Sequence, residues 1–410
     1  MLYHLKAPIV LKNNVLLPSS KSISNRVLIL NALCKRPETI NNISECDDTE
    51  VVIKALKEKT HIIDIGAAGT AMRFLTAYMS GQEGNHTITG TARMKNRPIK
   101  ILVEALRSAG ADINYTEKEG FPPLYIKGKS LKGGSISLDG SVSSQYISAL
   151  LMIGPTMTNG LRLNLTGNII SLPYINLTIK LMRFFGVIVY EEGQTYTIPP
   201  QQYSPVKGFA VESDWSAASY WYEMIALCKN ENATVSLSGL TPDSLQGDAS
   251  IVELFDKLGV CTTFTPEGVT LTKKRCTLEN PLIFDFISMP DIAQTAVVTC
   301  VMLDIKFHFT GLQTLKIKET DRLFALKTEL QKFGYLIDIL NENTLEWNGG
   351  RCEAEELPVV STYEDHRMAM AFAPISLCTD KGMKISNPEV VSKSYPSFWD
   401  DLKKSGFVIL

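Results

Sequence analysis

The sequence predicts an α/β protein of two domains built from six copies of one unit, on three observations. Strand-like stretches that close on a turn residue recur along the chain: TINN to Asn42, HTITG to Gly90, LNLTG to Gly167, VSLSG to Gly239, FHFTG to Gly311 and KISN to Asn387. From Gly90 onward the steps are 77, 72, 72 and 76 residues, after a shorter one of 48 from Asn42. Helices that end in glycine and run straight into a strand recur in step, at Gly110, Gly186, Gly259, Gly334 and Gly406. Two independent landmarks with one period identify a repeat. Finally, 410 residues exceed what one core holds, so two domains are the default.

Within each copy the elements follow in a fixed order. The first helix is apolar nearly all round, as in SSQYISALLMIG, SAASYWYEMIALC, IAQTAVVTCVML and HRMAMAFAPISLC. A helix apolar on every side is a buried helix. The turn-ending strand comes next. The second helix shows apolar residues three and four apart and a glycine suited to a left-handed C-cap, as in IKLMRFFGVIV and VELFDKLGVCT. The stretch VVIKALKEKTHII supplies the sixth such helix without the glycine.

Composition narrows the function. Apolar residues make up 45% and charged residues 20%, as in soluble globular proteins. A net charge of −2 gives no global attraction to nucleic acid or membrane, so a local basic cluster is a site rather than a field. The N-terminus MLYHLKAPIVLKNN has neither the apolar core of a signal peptide nor a transit-peptide bias, and no apolar run reaches the length of a membrane span. The eight cysteines lack CxxC or zinc-ligand spacing and read as buried, reduced thiols. A cytoplasmic protein is expected. Absence of HExxH, of clustered His, of a GxxxxGK[ST] loop and of GxGxxG after a first strand leaves no metal or cofactor expected.

The charged motifs fall at two places in the unit. PSSKSISNR, AAGTAMR, GSVSSQ, MPDIAQ and YEDHRMAM stand at the starts of buried helices. TARMKNRP, NIISLPY, LQTLKIKETDR and VVSKSYP follow the turn-ending strands. Each serine taken alone reads as an ordinary helix cap. Helix starts also present free N–H groups and a positive dipole end, which suit phosphate or carboxylate. If the copies are equivalent, the loops face a common cleft holding Lys21, Arg26, Arg97, Lys318, Arg322, Arg367 and Lys393 beside few acids, Asp291, Glu319 and Asp365. That set fits a substrate carrying several negative charges, with the carboxylates as proton carriers.

Together KSISNR, GTAMR, RMKNRPI, DGSVSSQ, QGD, KETDRL, DHRMAM and SKSYP, in this order, resemble the 5-enolpyruvylshikimate-3-phosphate synthase family. The resemblance implies an enolpyruvyl transferase fold: two domains of three βαβαββ units each, with buried parallel helices aimed at a cleft between them. It places residues 19–211 on the shikimate 3-phosphate side, and 1–18 plus 212–410 on the phosphoenolpyruvate clamp side. The implied reaction is transfer of the enolpyruvyl group of phosphoenolpyruvate to the 5-hydroxyl of shikimate 3-phosphate, by addition and elimination through a tetrahedral intermediate. It needs no cofactor and is carried out by a monomer.

The resemblance also carries roles to residues here. Lys21 would touch both substrates and act with Asp291 and Glu319 in catalysis, Asp291 as base for the 5-hydroxyl and Glu319 as proton carrier at C3. Ser22 and Arg26 would bind the shikimate moiety; Ser143, Ser144 and Ser171 its phosphate; Gln145 both ligands; Lys318 and Thr314 the ring. Gly69, Arg97, Arg322, Arg367 and Lys393 would bind phosphoenolpyruvate. Asp321 and Lys316 read as structural partners, and His366 as either a supporting group or a cap. Ser19, Ala67, Phe74, Thr314 and Leu172 depart from the family pattern, and none removes a proposed acid, base or clamp. Two alternatives stand beside this reading: a non-catalytic paralogue, and the sister transferase acting on UDP-N-acetylglucosamine. The sister enzyme's loop cysteine has no counterpart in TARMKNRPI.

Overall fold

A computed structural model of the chain describes every residue except Lys59, Thr277, Glu279 and Asn280. Lys59 belongs to the stretch read as the sixth glycine-series helix and lies outside the described residues. The chain divides into two compact units, residues 19–211 and residues 1–18 with 212–410.

In the 19–211 unit, strand Ile62–Asp64, helix Gly69–Ser80, strand Gly84–Thr89, helix Lys100–Ser108 and strands Asp112–Tyr115 and Leu124–Gly128 make one βαβαββ copy. Its first two strands run parallel, with Ile62 opposite Thr87, and Leu124–Gly128 lies antiparallel between the second and third. Parallel neighbours need a crossover, which the buried helix supplies. Residues 134–198 repeat this order, with Gly134 opposite Leu161. Leu161, Leu163 and Leu165 point inward while Arg162 and Thr166 face out, the alternation of a sheet covered on one side.

The remaining copy of this unit departs from the expectation of six equal repeats. It keeps helices Lys21–Ala32 and Asp47–Lys57, but among the described residues its sheet is reduced to a parallel bridge between Asn41 and Ala210. The Asn41 amide donates to the Phe209 carbonyl at 2.8 Å, and Val211 to Asn41 at 3.1 Å. Val206–Phe209 turns through Gly208 at φ 74° just before Ala210, which takes the chain out of line for further pairing.

The other unit holds three full copies. One takes its outer strand from Lys12–Val15, paired parallel to Thr234–Ser238. The second spans 282–347. The last is closed by the chain's first strand, Leu2–Lys6, which lies between Met383–Ser386 and Val408–Ile409 with Leu2 opposite Ser386 and Leu5 opposite Ile409. Its three first helices, Trp215–Leu227, Ala293–Met302 and His366–Phe372, are buried almost throughout.

The five glycines that end second helices have φ between 79° and 102°, the left-handed region expected of them. Asn42 and Asn387, at φ 53° and 50°, occupy the same kind of turn in the strand-ending series. The cysteines are not all buried as expected: Cys276 and Cys352 are exposed. Among the described residues, no helix is long and apolar enough to cross a membrane.

Candidate active site

In the 19–211 unit the site residues cluster at the starts of the buried helices. Gln145 Nε2 donates to Thr70 Oγ1 at 3.0 Å, each the second residue of its helix. Arg26, Phe74 and Ser148 meet one turn further in, so the three helices run parallel with their starts level. Ser20 caps the first helix through the Ile23 amide, and Ser143 caps another through the Gln145 amide. Lys21 opens the first helix, with Nζ 3.3 Å from Asp48 Oδ2, and partly buried Ser22 follows it. Ser144 is partly buried at the start of its helix; Ser171, buried, precedes helix Leu172–Phe184 in a left-handed turn of φ 57°.

The resemblance assigns Arg26 to the shikimate moiety; the structure gives it a second job. Its Nε donates to Thr178 Oγ1 at 2.7 Å, Nη1 to the Ser22 carbonyl at 2.8 Å and Nη2 to Ser148 Oγ at 3.2 Å. The guanidinium lies 5.3 Å from the centre of the Phe74 ring, and burial pulls its pKa down to about 10. It is a buried hub joining four helices.

Gly69 opens helix Gly69–Ser80 under two guanidinium groups. A Cβ there would lie 2.5 Å from Arg97 Nη1 and 2.8 Å from Arg73 Nη1. Arg73 Nη1 donates to the Gly69 carbonyl at 2.8 Å, and its guanidinium covers the Tyr146 ring. Two guanidiniums converging on a helix start favour an anion.

The other unit carries a denser network. Asp291, in the turn Pro290–Ile292, accepts from Arg322 Nη1 at 3.2 Å and Arg367 Nη2 at 3.1 Å, with Lys318 Nζ 3.5 Å away. Glu319 bridges Arg322 Nη2 at 3.0 Å and Lys393 Nζ at 3.1 Å. Asp365 takes Arg322 Nε at 2.7 Å and Nη2 at 3.3 Å. Lys318, Arg322, Arg367 and Lys393 thus interleave with Asp291, Glu319 and Asp365.

The local sequence explains this placement. Asp321 caps helix Arg322–Lys332 through the Phe324 amide at 3.2 Å, and Lys316 pairs with Glu342, both structural partners as read. KIKETDR is therefore a helix start whose Lys318, Glu319 and Arg322 all enter the charged network. Asp365 caps helix His366–Phe372, so His366, almost fully buried, is not the cap. Thr314 lies in the turn Gln313–Ile317 with a buried hydroxyl that has no hydrogen-bond partner among the described residues.

Charge state follows from this packing. Burial alone would raise the Asp291 carboxyl, but Arg367, Lys318 and Arg322 hold it well below the usual range. Burial opposes the Arg322 charge, yet Asp365, Glu319 and Asp291 push its pKa up. Lys318 is lowered, mainly by burial.

Asp248, Ser216 and Arg73 touch these groups and were not among the expected site residues. The Ser216 hydroxyl donates to Asp248 Oδ2 and accepts from Arg367 Nη2 at 3.3 Å. Burial, then repulsion from Asp291, raises Asp248 to about 7. QGD stood among the motifs, but nothing in it tells that Asp248 supports Arg367. Arg73 had a signal: an arginine four residues after a helix-first glycine reaches back over the helix start.

A family model described as EPSP synthase (3-phosphoshikimate 1-carboxyvinyltransferase) matches residues 5–59 and 56–402. The chain belongs to the EPSP synthase family. A 3-phosphoshikimate 1-carboxyvinyltransferase of Bacteroides fragilis (strain YCH46) is 55% identical over 410 residues, covering 100% of this chain and 99% of that protein. One from Vibrio campbellii (strain ATCC BAA-1116) is 35% identical over 426 residues, covering 96% of each. The solved EPSP synthase from Acinetobacter baumannii matches 100% of this chain and 99% of its own with a TM-score of 0.77; at 21% identity it speaks for the fold alone. The fold is thus the enolpyruvyl transferase fold expected. As an EPSP synthase family member the chain is a transferase of the shikimate pathway, which sets aside the sister reading on UDP-N-acetylglucosamine.

Proposed function

We propose that the residues gathered in the two units carry the enolpyruvyl transfer from phosphoenolpyruvate to the 5-hydroxyl of shikimate 3-phosphate. The observation that carries this reading is Asp291 held among Arg322, Arg367 and Lys318 in one buried network. Arg322, Arg367 and Lys393 bind the carboxylate and phosphate of phosphoenolpyruvate, with Gly69 and Arg97 on the same substrate. Ser143, Ser144 and Ser171 hold the shikimate 3-phosphate group, Ser22, Lys318 and Thr314 its ring, and Gln145 both ligands. Arg26 fixes Ser22 through its carbonyl, beside any contact of its own with the ring.

Asp291 is a weak base while three cations pair with it. Phosphoenolpyruvate brings its own anionic groups to Arg322 and Arg367, replaces the carboxylate as their partner and lets the Asp291 pKa rise. Substrate binding thereby switches the base on. The 5-hydroxyl oxygen adds to C2 and gives its proton to Asp291, while Glu319, protonated once phosphoenolpyruvate has drawn Arg322 and Lys393 away from it, gives its proton to C3. The tetrahedral adduct then collapses: the C2–O bond to phosphate breaks with Lys21 protonating the leaving oxygen, and Glu319 takes back a proton from C3. Cations around the phosphate and carboxylate stabilise the charge that develops there.

Phosphate release from phosphoenolpyruvate, with and without shikimate 3-phosphate, tests the reading in wild type and Asp291→Ala. Release that needs shikimate 3-phosphate and collapses in the variant is the expected result. Binding of both ligands without release would make the chain a non-catalytic paralogue. The same reading takes the enzyme as a cytoplasmic monomer, which light scattering and cell fractionation check.

A further inference from the structure

Tyr363 and Glu364 are consecutive non-glycine residues in the left-handed region, at φ 54° and 57°. They sit directly before Asp365 and Arg367. Side chains resist this conformation, and it persists only where the surroundings impose it. Here one helix imposes it from both ends. Arg322, the first residue of helix Arg322–Lys332, holds Asp365 by two bonds. Two turns along the same helix, fully buried Glu329 accepts from the Ser361 amide at 3.0 Å and from the Tyr363 hydroxyl at 2.7 Å. Lys332 completes the grip, bonding Glu329 at 2.7 Å and the Val359 carbonyl at 2.8 Å.

The held turn is short. The Asp365 amide donates to the Thr362 carbonyl at 2.9 Å, and Asp365 Oδ1 accepts from the Arg367 amide at 2.9 Å. Arg367 then reaches both the carboxylate and the carbonyl of Asp291. An unbroken path of bonds leads from Glu329 to the catalytic carboxylate.

We propose that Glu329 and Tyr363 are positioning residues for the transferase reaction, pinning the strained 361–364 turn so that Asp365 and Arg367 meet Arg322 and Asp291 in the geometry that receives phosphoenolpyruvate. Both would act through Asp365 and Arg367. The inference rests on Arg322 and Arg367 forming the phosphoenolpyruvate clamp.

The test is steady-state kinetics on Tyr363→Phe, Glu329→Gln, Arg367→Ala and the double variant Tyr363→Phe with Glu364→Gly. Tyr363→Phe deletes one hydrogen bond to a carboxylate and should raise the KM for phosphoenolpyruvate on the order of tenfold, leaving that for shikimate 3-phosphate unchanged. Glu329→Gln keeps the shape and should act in the same direction. Glycine enters the left-handed region without steric cost, so the double variant should recover most of the loss. A merely structural hydrogen bond would give no such rescue. An unchanged KM in Tyr363→Phe, an equal loss for both substrates, or no rescue by Glu364→Gly would overturn the proposal. An Arg367→Ala variant with normal affinity for phosphoenolpyruvate would instead sink the clamp reading, and this inference with it.

Discussion

Arg322 and Asp365 form a two-pronged ion pair, with Nε 2.7 Å from Oδ2 and Nη2 3.3 Å from Oδ1, and both side chains are shut off from water. Breaking such a pair is costly because the remaining charge stays buried. Arg322→Ala should therefore lower stability by about 3–5 kcal/mol, read as a shift of the urea midpoint. Arg322→Lys keeps the charge and loses the fork. It should retain more of that stability while phosphate release falls sharply.

Gly69→Ala tests the other unit. The added methyl would overlap Arg97 Nη1 and Arg73 Nη1, both ends of side chains that can shift. The fold should survive, and the KM for phosphoenolpyruvate should rise roughly tenfold or more as the two guanidiniums move. Unchanged affinity would mean that this pair of arginines does not receive the anion.

Asp291→Asn separates binding from chemistry. The amide matches the carboxylate in shape but cannot accept the 5-hydroxyl proton, so kcat should fall by roughly 10²–10⁴. Removing a negative charge from between Arg322, Arg367 and Lys318 leaves them more available, so the KM for phosphoenolpyruvate should hold or fall. A raised KM with intact kcat would move the base elsewhere.

Asp248 makes stability depend on pH. Its carboxyl is raised from 3.8 to about 7 in the folded protein, chiefly by burial. The folded state then binds the proton more tightly than the unfolded chain. This contribution is fully present below about pH 4 and is lost as pH rises through about 7. The whole span is on the order of 4 kcal/mol. Asp248→Asn should flatten that part of the curve, so its advantage over wild type in urea unfolding should appear at about pH 8 and vanish at about pH 4.

Much of this was legible in the chain because the repeat leaves two signals of different physics. Gly110, Gly186, Gly259, Gly334 and Gly406 mark turns that side chains resist, and the helices around Tyr146 and Trp221 are apolar because they are buried on all sides. The degenerate copy was not legible, since TINN has the composition of a strand and its partner segment turns away at Val206–Phe209 only in the fold. Lys318, Glu319 and Arg322 were readable as a strip because they are contiguous. Asp248 and Glu329 were not, because their partners, Ser216 with Arg367 and Ser361 with Tyr363, meet them only through the fold. A buried carboxylate looks like any surface acid until its neighbours are known.

The strand Leu2–Lys6 is held by Met383–Ser386 and Val408–Ile409, and His4 and Leu410 exchange main-chain bonds at 2.9 and 3.0 Å. This ties the order of synthesis to the order of assembly. By the time Val211 has been added, the two complete sheets of the 19–211 unit have all their strands. Residues 212–410 are still to be made, which takes the ribosome roughly 10–40 s. Throughout that interval Leu2–Lys6 is an unpartnered edge and a hazard for stray pairing. A strand made before the whole 19–211 unit finds its neighbours only after that unit is complete.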